Sequence, residues 1–119
     1  MLTTYESATK VYLACGNTDM RKSIDGLTAI VATVYELDLF NDNFFVFCNK
    51  QRNKIKILRW DRNGFWLYYK RLEKGRFKWP EDKTAQTLAI DRRQLQWLLE
   101  GLTLEQKQAH KPVAARGVV

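Results

Sequence analysis

Lysine and arginine interleaved with flat aromatic rings can hold a nucleic acid. The cations neutralise phosphates and release counterions, and the rings stack on unpaired bases. Residues 50–79 have that composition. Eleven basic side chains (Lys50, Arg52, Lys54, Lys56, Arg59, Arg62, Lys70, Arg71, Lys74, Arg76 and Lys78) fall there against two acids, Asp61 and Glu73, a local charge of +9. The rest of the chain carries nine bases and eleven acids, so the net +7 comes entirely from this segment. Among the bases sit Trp60, Phe65, Trp66, Tyr68, Tyr69, Phe77 and Trp79. A solvated basic face with its rings turned into a core has the same composition, so the pattern alone leaves both readings open.

Other constellations are weaker. Glu81-Asp82-Lys83, with Asp61 twenty residues upstream, has the spacing of a metal-dependent nuclease, in which converging carboxylates bind divalent ions beside a lysine. Here the triplet follows Pro80 in a polar stretch, Asp61 suits a turn, Asp19 a helix start and Asp25 an exposed helical position. Solvated carboxylates are the simpler account, and no catalytic residue is assigned. A serine or cysteine nucleophile needs a histidine base, and the one histidine, His110, lies in a polar C-terminal stretch. Cys15 and Cys48 sit in apolar runs without a CxxC pair, as buried free thiols of a reduced chain do. Neither a metal nor a cofactor is expected. In Thr18-Asp19-Met20-Arg21-Lys22, a helix start with Arg21 and Lys22 could contact a phosphate; the simpler alternative is Asp19 as a cap with both bases in water.

The elements that must position these residues are legible from periodicity. Lys10 to Cys15 reads as a short strand ended by Gly16-Asn17. A helix is predicted from Thr18 or Asp19, with Met20, Ile24, Leu27, Ile30, Val31 and Val34 as its buried stripe, and Gly26 inside it marks close packing. Phe44 to Cys48 reads as a central strand, Lys54 to Trp60 as the next, and Phe65 to Leu72 as its return after the Asn63-Gly64 hairpin signal. A further turn leads to Phe77-Lys78-Trp79, completing a meander of three or four strands. Alternation makes one face of this meander apolar and puts Lys54, Lys56, Lys70 and rings on the other, with a bulge at Leu58-Arg59 where the pattern breaks. Thr87 to Ile90 reads as a last strand, and Asp91 caps a helix through Leu95, Leu98 and Leu99 that Gly101 stops.

The expected fold is therefore α+β: an antiparallel meander of four to five strands, an amphipathic helix after the first strand and a short C-terminal helix. One domain is expected over residues 1–102, with a flexible tail over 103–119. No apolar run approaches the ~20 residues that cross a bilayer. The opening Met1 to Glu6 lacks a basic region followed by an apolar one, so neither membrane association nor a signal peptide is expected.

Two stretches, LACGNTDMRKSIDGL over 13–27 and KILRWDRNGFWLYYKRLEKGRFKWP over 56–80, together resemble the Orf2-like (TnpB) accessory proteins of the IS-sixty-six family of bacterial insertion sequences. The likeness runs from about Val11 to Gly101. One departure is Asp38-Leu39-Phe40, where the family has a proline before the phenylalanine, which bears on the geometry of that connection. The resemblance implies a mobile-element protein that accompanies a separate three-carboxylate, metal-dependent transposase, and no catalytic residues carry over. With the charge map it points to a non-enzymatic DNA-binding accessory factor in the bacterial cytoplasm, nucleoid-associated when on DNA. Lys54, Lys56, Arg59, Arg62, Lys70, Arg71, Lys74, Arg76 and Lys78 would contact phosphates, and Trp60, Trp66, Tyr68 and Trp79 would pack on sugars or bases where exposed. The alternative is an adaptor that docks on the transposase, and a nuclease is the remote one.

Overall fold

The computed structural model describes residues 10–105, so His110, the opening Met1 to Glu6 and most of the expected tail lie outside the described residues. Five strands and two helices follow in order: β1 (Val11–Ala14), α1 (Ile24–Ala29) running into a π-helical turn (Ile30–Val34), β2 (Phe44–Cys48), β3 (Lys54–Asp61), β4 (Gly64–Arg71), β5 (Thr87–Ile90) and α2 (Arg92–Leu99). They form one sheet in the order β4-β3-β2-β1-β5. The expected α+β class is what forms, with β2, β3 and β4 as the antiparallel meander. β1 pairs parallel with β2, Val11 against Phe44, and antiparallel with β5. A parallel pair needs a crossover, and α1 supplies it.

Both faces of the sheet are covered, which is why β2 is buried at all five positions. On one face Val11, Leu13, Phe44, Val46, Cys48 and Ile55 pack under Leu95 and Leu98 of α2, with Phe77 and Trp79. On the other, Ala14, Phe45, Phe47 and Leu58 pack under Leu27 and Val31. α2 begins and ends as its sequence requires. Asp91 accepts from the Gln94 backbone at 2.8 Å while the Gln94 side chain accepts from the Asp91 N–H at 3.0 Å. At the other end Gly101 (φ 85°) and Leu102 return their N–H groups to Leu98 and Trp97, a Schellman closure that needs the left-handed glycine.

Several local expectations are corrected. The first helix opens after Ser23 rather than near Asp19. Asp19 accepts from the Arg21 N–H at 2.9 Å, and the Lys56 ammonium donates to the carbonyls of Met20 and Lys22 at 2.8 Å each. Those carbonyls would otherwise accept the first helical bonds, so the turn is diverted. At the other end Tyr35 N–H reaches back five residues to Ile30, and the extra residue turns Val34 outward to 49% exposure. A Cβ on Gly26 would meet only the Lys22 side chain, so that glycine marks no close approach of another element. β3 pairs with β4 without interruption from Lys54–Arg71 to Asp61–Gly64, so there is no bulge at Leu58-Arg59. The alternation breaks there because Arg59 is buried, its guanidinium 5.6 Å from the Phe44 ring. Phe77-Lys78-Trp79 is not a strand, although both rings are buried.

The hairpin turns within Asp61 to Gly64, as expected: Asp61 pairs with Gly64, leaving Arg62 and Asn63 to turn the chain. Arg62 has φ 61°, and the Asn63 N–H donates to the Asp61 carbonyl across it, as in a γ-turn. An L-residue in the left-handed region costs roughly 1–2 kcal/mol, partly offset here because glycine has more freedom to lose on folding. Arg62→Gly is therefore expected to leave the melting temperature unchanged or raise it by a few degrees in a thermal melt. A drop of several degrees would show that the Arg62 side chain stabilises the turn.

Candidate nucleic-acid interface

Interleaved in sequence, charge and rings are partitioned in space. Lys54 faces Arg71 across the β3–β4 ladder. The loop after β4 is tied to the turn before β3 by Leu72 N–H to Asn53 carbonyl at 2.8 Å and Phe77 N–H to Arg52 carbonyl at 2.7 Å. Buried Phe77 and Trp79 anchor that loop from below, and Gly75 (φ 83°) lets it turn between Lys74 and Arg76. These bonds gather Lys54, Arg71, Lys74, Arg76 and Lys78 at one end of the sheet, all exposed except half-buried Lys54. Lys50, exposed in the turn before β3, joins them. Sequence reasoning counts it in the charged segment but does not single it out. Glu73 is the acid among them and pairs with Arg71 at 2.8 Å.

The other predicted bases are elsewhere or engaged. Arg62 sits at the hairpin tip, about 23 Å from the Lys54–Arg71 pair at ~3.3 Å per strand residue. Lys70 and Lys56 lie on opposite faces of the sheet, opposite Ile55 and Tyr69 respectively. The expected shared basic face is thus split by the register. Lys70 donates to the Leu99 carbonyl at 2.8 Å, where a cation also suits the negative end of α2. Lys56 holds the turn before α1. Arg59 is 3% exposed and its place is in the core. Arg21 is exposed but pairs with Asp19 at 2.7 Å, which cancels its charge, and neighbouring Lys22 is exposed.

Of the four rings, Trp79 is buried, its indole N–H donating to the Ala14 carbonyl at 3.0 Å, so it offers no face to a base. Trp60 is half-buried, packed edge-on at 4.9 Å to Phe40 and 5.0 Å to Phe65. The Asp38 carboxylate accepts from the Phe40 N–H at 2.9 Å, so an Asx turn shapes the connection before Phe40. Trp66 (51% exposed) and Tyr68 (37%) remain, stacked with centroids 6.1 Å apart, and the Trp66 indole is fixed by a 2.9 Å bond to Asp61.

That bond also occupies the carboxylate offered as part of a nuclease triad. Asp82 accepts from Thr84 instead, which lowers its pKa, and lines a depression with Glu81 and Lys83 that Asp61 does not reach. Burial raises the pKa of both thiols, Cys15 and Cys48, which are free. Asp19 titrates at about 2, held down first by its side-chain bonds to Arg21 and then by the Arg21 backbone N–H. A depressed carboxylate stabilises the fold above its unfolded pKa and ceases to as pH falls through the folded value. An NMR titration should therefore find Asp19 ionised well below pH 4, and Arg21→Ala should return its midpoint toward the ordinary value; an ordinary midpoint in the parent protein would contradict the ion pair.

The family described as IS66 Orf2 like protein matches this chain over residues 9–109. The chain is a member of the IS66 Orf2-like family. It is 37% identical to the uncharacterized protein y4hO of Sinorhizobium fredii over 93 residues, 78% of this chain and 80% of that one. A second protein of that organism, y4jC, is 31% identical over 74 residues, 62% and 63% of the two chains. No solved structure matches. Membership makes this an accessory protein associated with an insertion sequence. Among the described residues no helix of this IS66 Orf2-like protein is long and apolar enough to cross a membrane.

Proposed function

We propose that this protein is a non-enzymatic accessory factor for transposition that grips DNA through the basic end of its sheet, acting in the bacterial cytoplasm on nucleoid DNA. The observation that carries the reading is the gathering of Lys50, Lys54, Arg71, Lys74, Arg76 and Lys78 at one end by the β3–β4 register and two backbone bonds. Such a cluster suits the regular phosphates of a duplex and carries little base information. The test is a titration of labelled duplex DNA at several salt concentrations. With five or six phosphates neutralised, log affinity should fall with log salt at a slope of about −5. No binding at low salt, or a flat slope, would overturn the reading.

A second reading is favoured by the exposed Trp66–Tyr68 stack: an adaptor that docks on the transposase of the same element. Rings of this kind serve as interface anchors, and such an interface would weaken little with salt.

A further inference from the structure

β4 lies at the edge of the sheet, and its run Gly64–Tyr69 carries no charge, proline or bulge. Natural edge strands are usually blunted by such features because their outward N–H and C=O groups are templates for another strand. Here the charges stand only at the ends of the run. Among the described residues no strand pairs with its outer side.

Beside this edge, on the face that carries α2, lies a groove of about 290 Å³. It is lined by apolar Phe44, Ile55, Ile57, Leu95 and Leu99 together with two cations, exposed Lys70 and half-buried Arg92, whose guanidinium lies 5.6 Å from the Phe44 ring. No carboxylate lines it. α2 covers β1 and β2 and touches β4 where Lys70 bonds the Leu99 carbonyl at 2.8 Å, and the apolar surface of β3 continues through Ile57 to Tyr68, its partner across the ladder. Bare strand edge, apolar groove and its two cations adjoin one another.

We propose that β4 and this groove dock an extended acidic–apolar segment of a partner protein, added to the sheet as a sixth strand. The inference is independent of DNA binding and gives the adaptor reading its chemistry. The main chain of the segment would pair with the outer edge of β4, and one of its apolar side chains would enter the groove. A carboxylate flanking that side chain would meet Lys70 and Arg92. The charge of the groove decides the occupant: a basic segment is repelled there, and a second copy of the chain would bring its own Lys70 and Arg71 to the seam.

The probe is a fluorescein-labelled decapeptide alternating Leu or Val with Asp. Its controls have the same apolar residues alternating with Lys, or proline at two alternate positions. Binding to the full chain is followed by anisotropy and by amide hydrogen exchange of residues 64–71. The Asp peptide should bind at micromolar concentrations and slow exchange along β4, and both controls should bind at least tenfold more weakly. Gln96 lines the groove and bonds Glu100 on the exposed face of α2, so changing it leaves the core untouched. Gln96→Glu should weaken the Asp peptide about threefold and Gln96→Lys tighten it by a similar factor, with duplex DNA binding unchanged in both. Equal binding of the Lys peptide, no binding of the Asp peptide, or indifference to Gln96 would overturn the proposal. Protection of β4 that rises with protein concentration alone would assign the edge to a second copy instead. Loss of DNA binding in the parent chain would sink the DNA reading and leave this one standing.

Discussion

Replacing Lys74 and Arg76 together by glutamine is expected to weaken duplex binding by about a hundredfold at about 0.1 M salt and to reduce the salt slope by about two units. Each neutralised phosphate contributes roughly 0.9 to that slope, so removing one cation costs close to tenfold at this salt. Both side chains are exposed and make no ion pair with Glu73, which is paired to Arg71. The melting temperature should therefore stay within a degree or two, as surface substitutions away from special features rarely exceed ~0.5 kcal/mol. Arg62→Gly is the distal control: it removes one positive charge at the far end of the hairpin and should cost threefold or less, against about tenfold for each charge removed at the basic end. Equal losses at the two places would mean that DNA lies along the whole ribbon. No loss at either would remove the basic end as the binding surface. Lys70 and Lys56 are poor choices for this experiment, since each ammonium also satisfies backbone carbonyls that close a helix end or a turn.

Which parts of this are legible in the sequence follows from the range of the forces involved. The five strands that form, the Asp91 cap and the Gly101 stop are set by local pattern and by bonds that span a few residues, and they stand within a residue of where periodicity puts them, whereas Phe77 to Trp79 forms no strand. The charged segment is legible for the same reason. What pattern cannot supply is which residues meet across the sheet. The β3–β4 register places Ile55 opposite Lys70 and Lys56 opposite Tyr69, and this one choice splits the expected basic face in two. The opening of α1 escapes a local reading because its competitor is Lys56, more than thirty residues away. Arg59 shows the limit most plainly. An arginine in a strand reads as a surface residue, yet the Phe44 ring opposite it lets the guanidinium lie inside. The gathering of Lys50 with Lys74, Arg76 and Lys78 rests on two backbone bonds that leave no trace in composition.

Trp79→Ala should separate the two roles that its position allows. The ring is 6% exposed, donates to the Ala14 carbonyl at 3.0 Å and lies 5.8 Å beneath the Arg52 guanidinium. Removing a buried tryptophan costs about 3–5 kcal/mol, a large share of the roughly 5–15 kcal/mol that holds a domain together. The midpoint of thermal or urea unfolding should fall accordingly, by roughly ten degrees or more in the thermal case. Trp79→Phe keeps most of the apolar volume and loses the indole N–H, so its cost should be about 1–3 kcal/mol. The phenylalanine variant also keeps the anchor that holds the basic loop down beside Phe77. Measured where it is fully folded, it should bind duplex DNA as the parent chain does, within twofold. A ring that stacked on a base would behave the opposite way, with affinity falling and stability hardly moving. If Trp79→Ala melts near the parent temperature but loses DNA affinity, the indole is at the interface and the basic loop is not anchored by it.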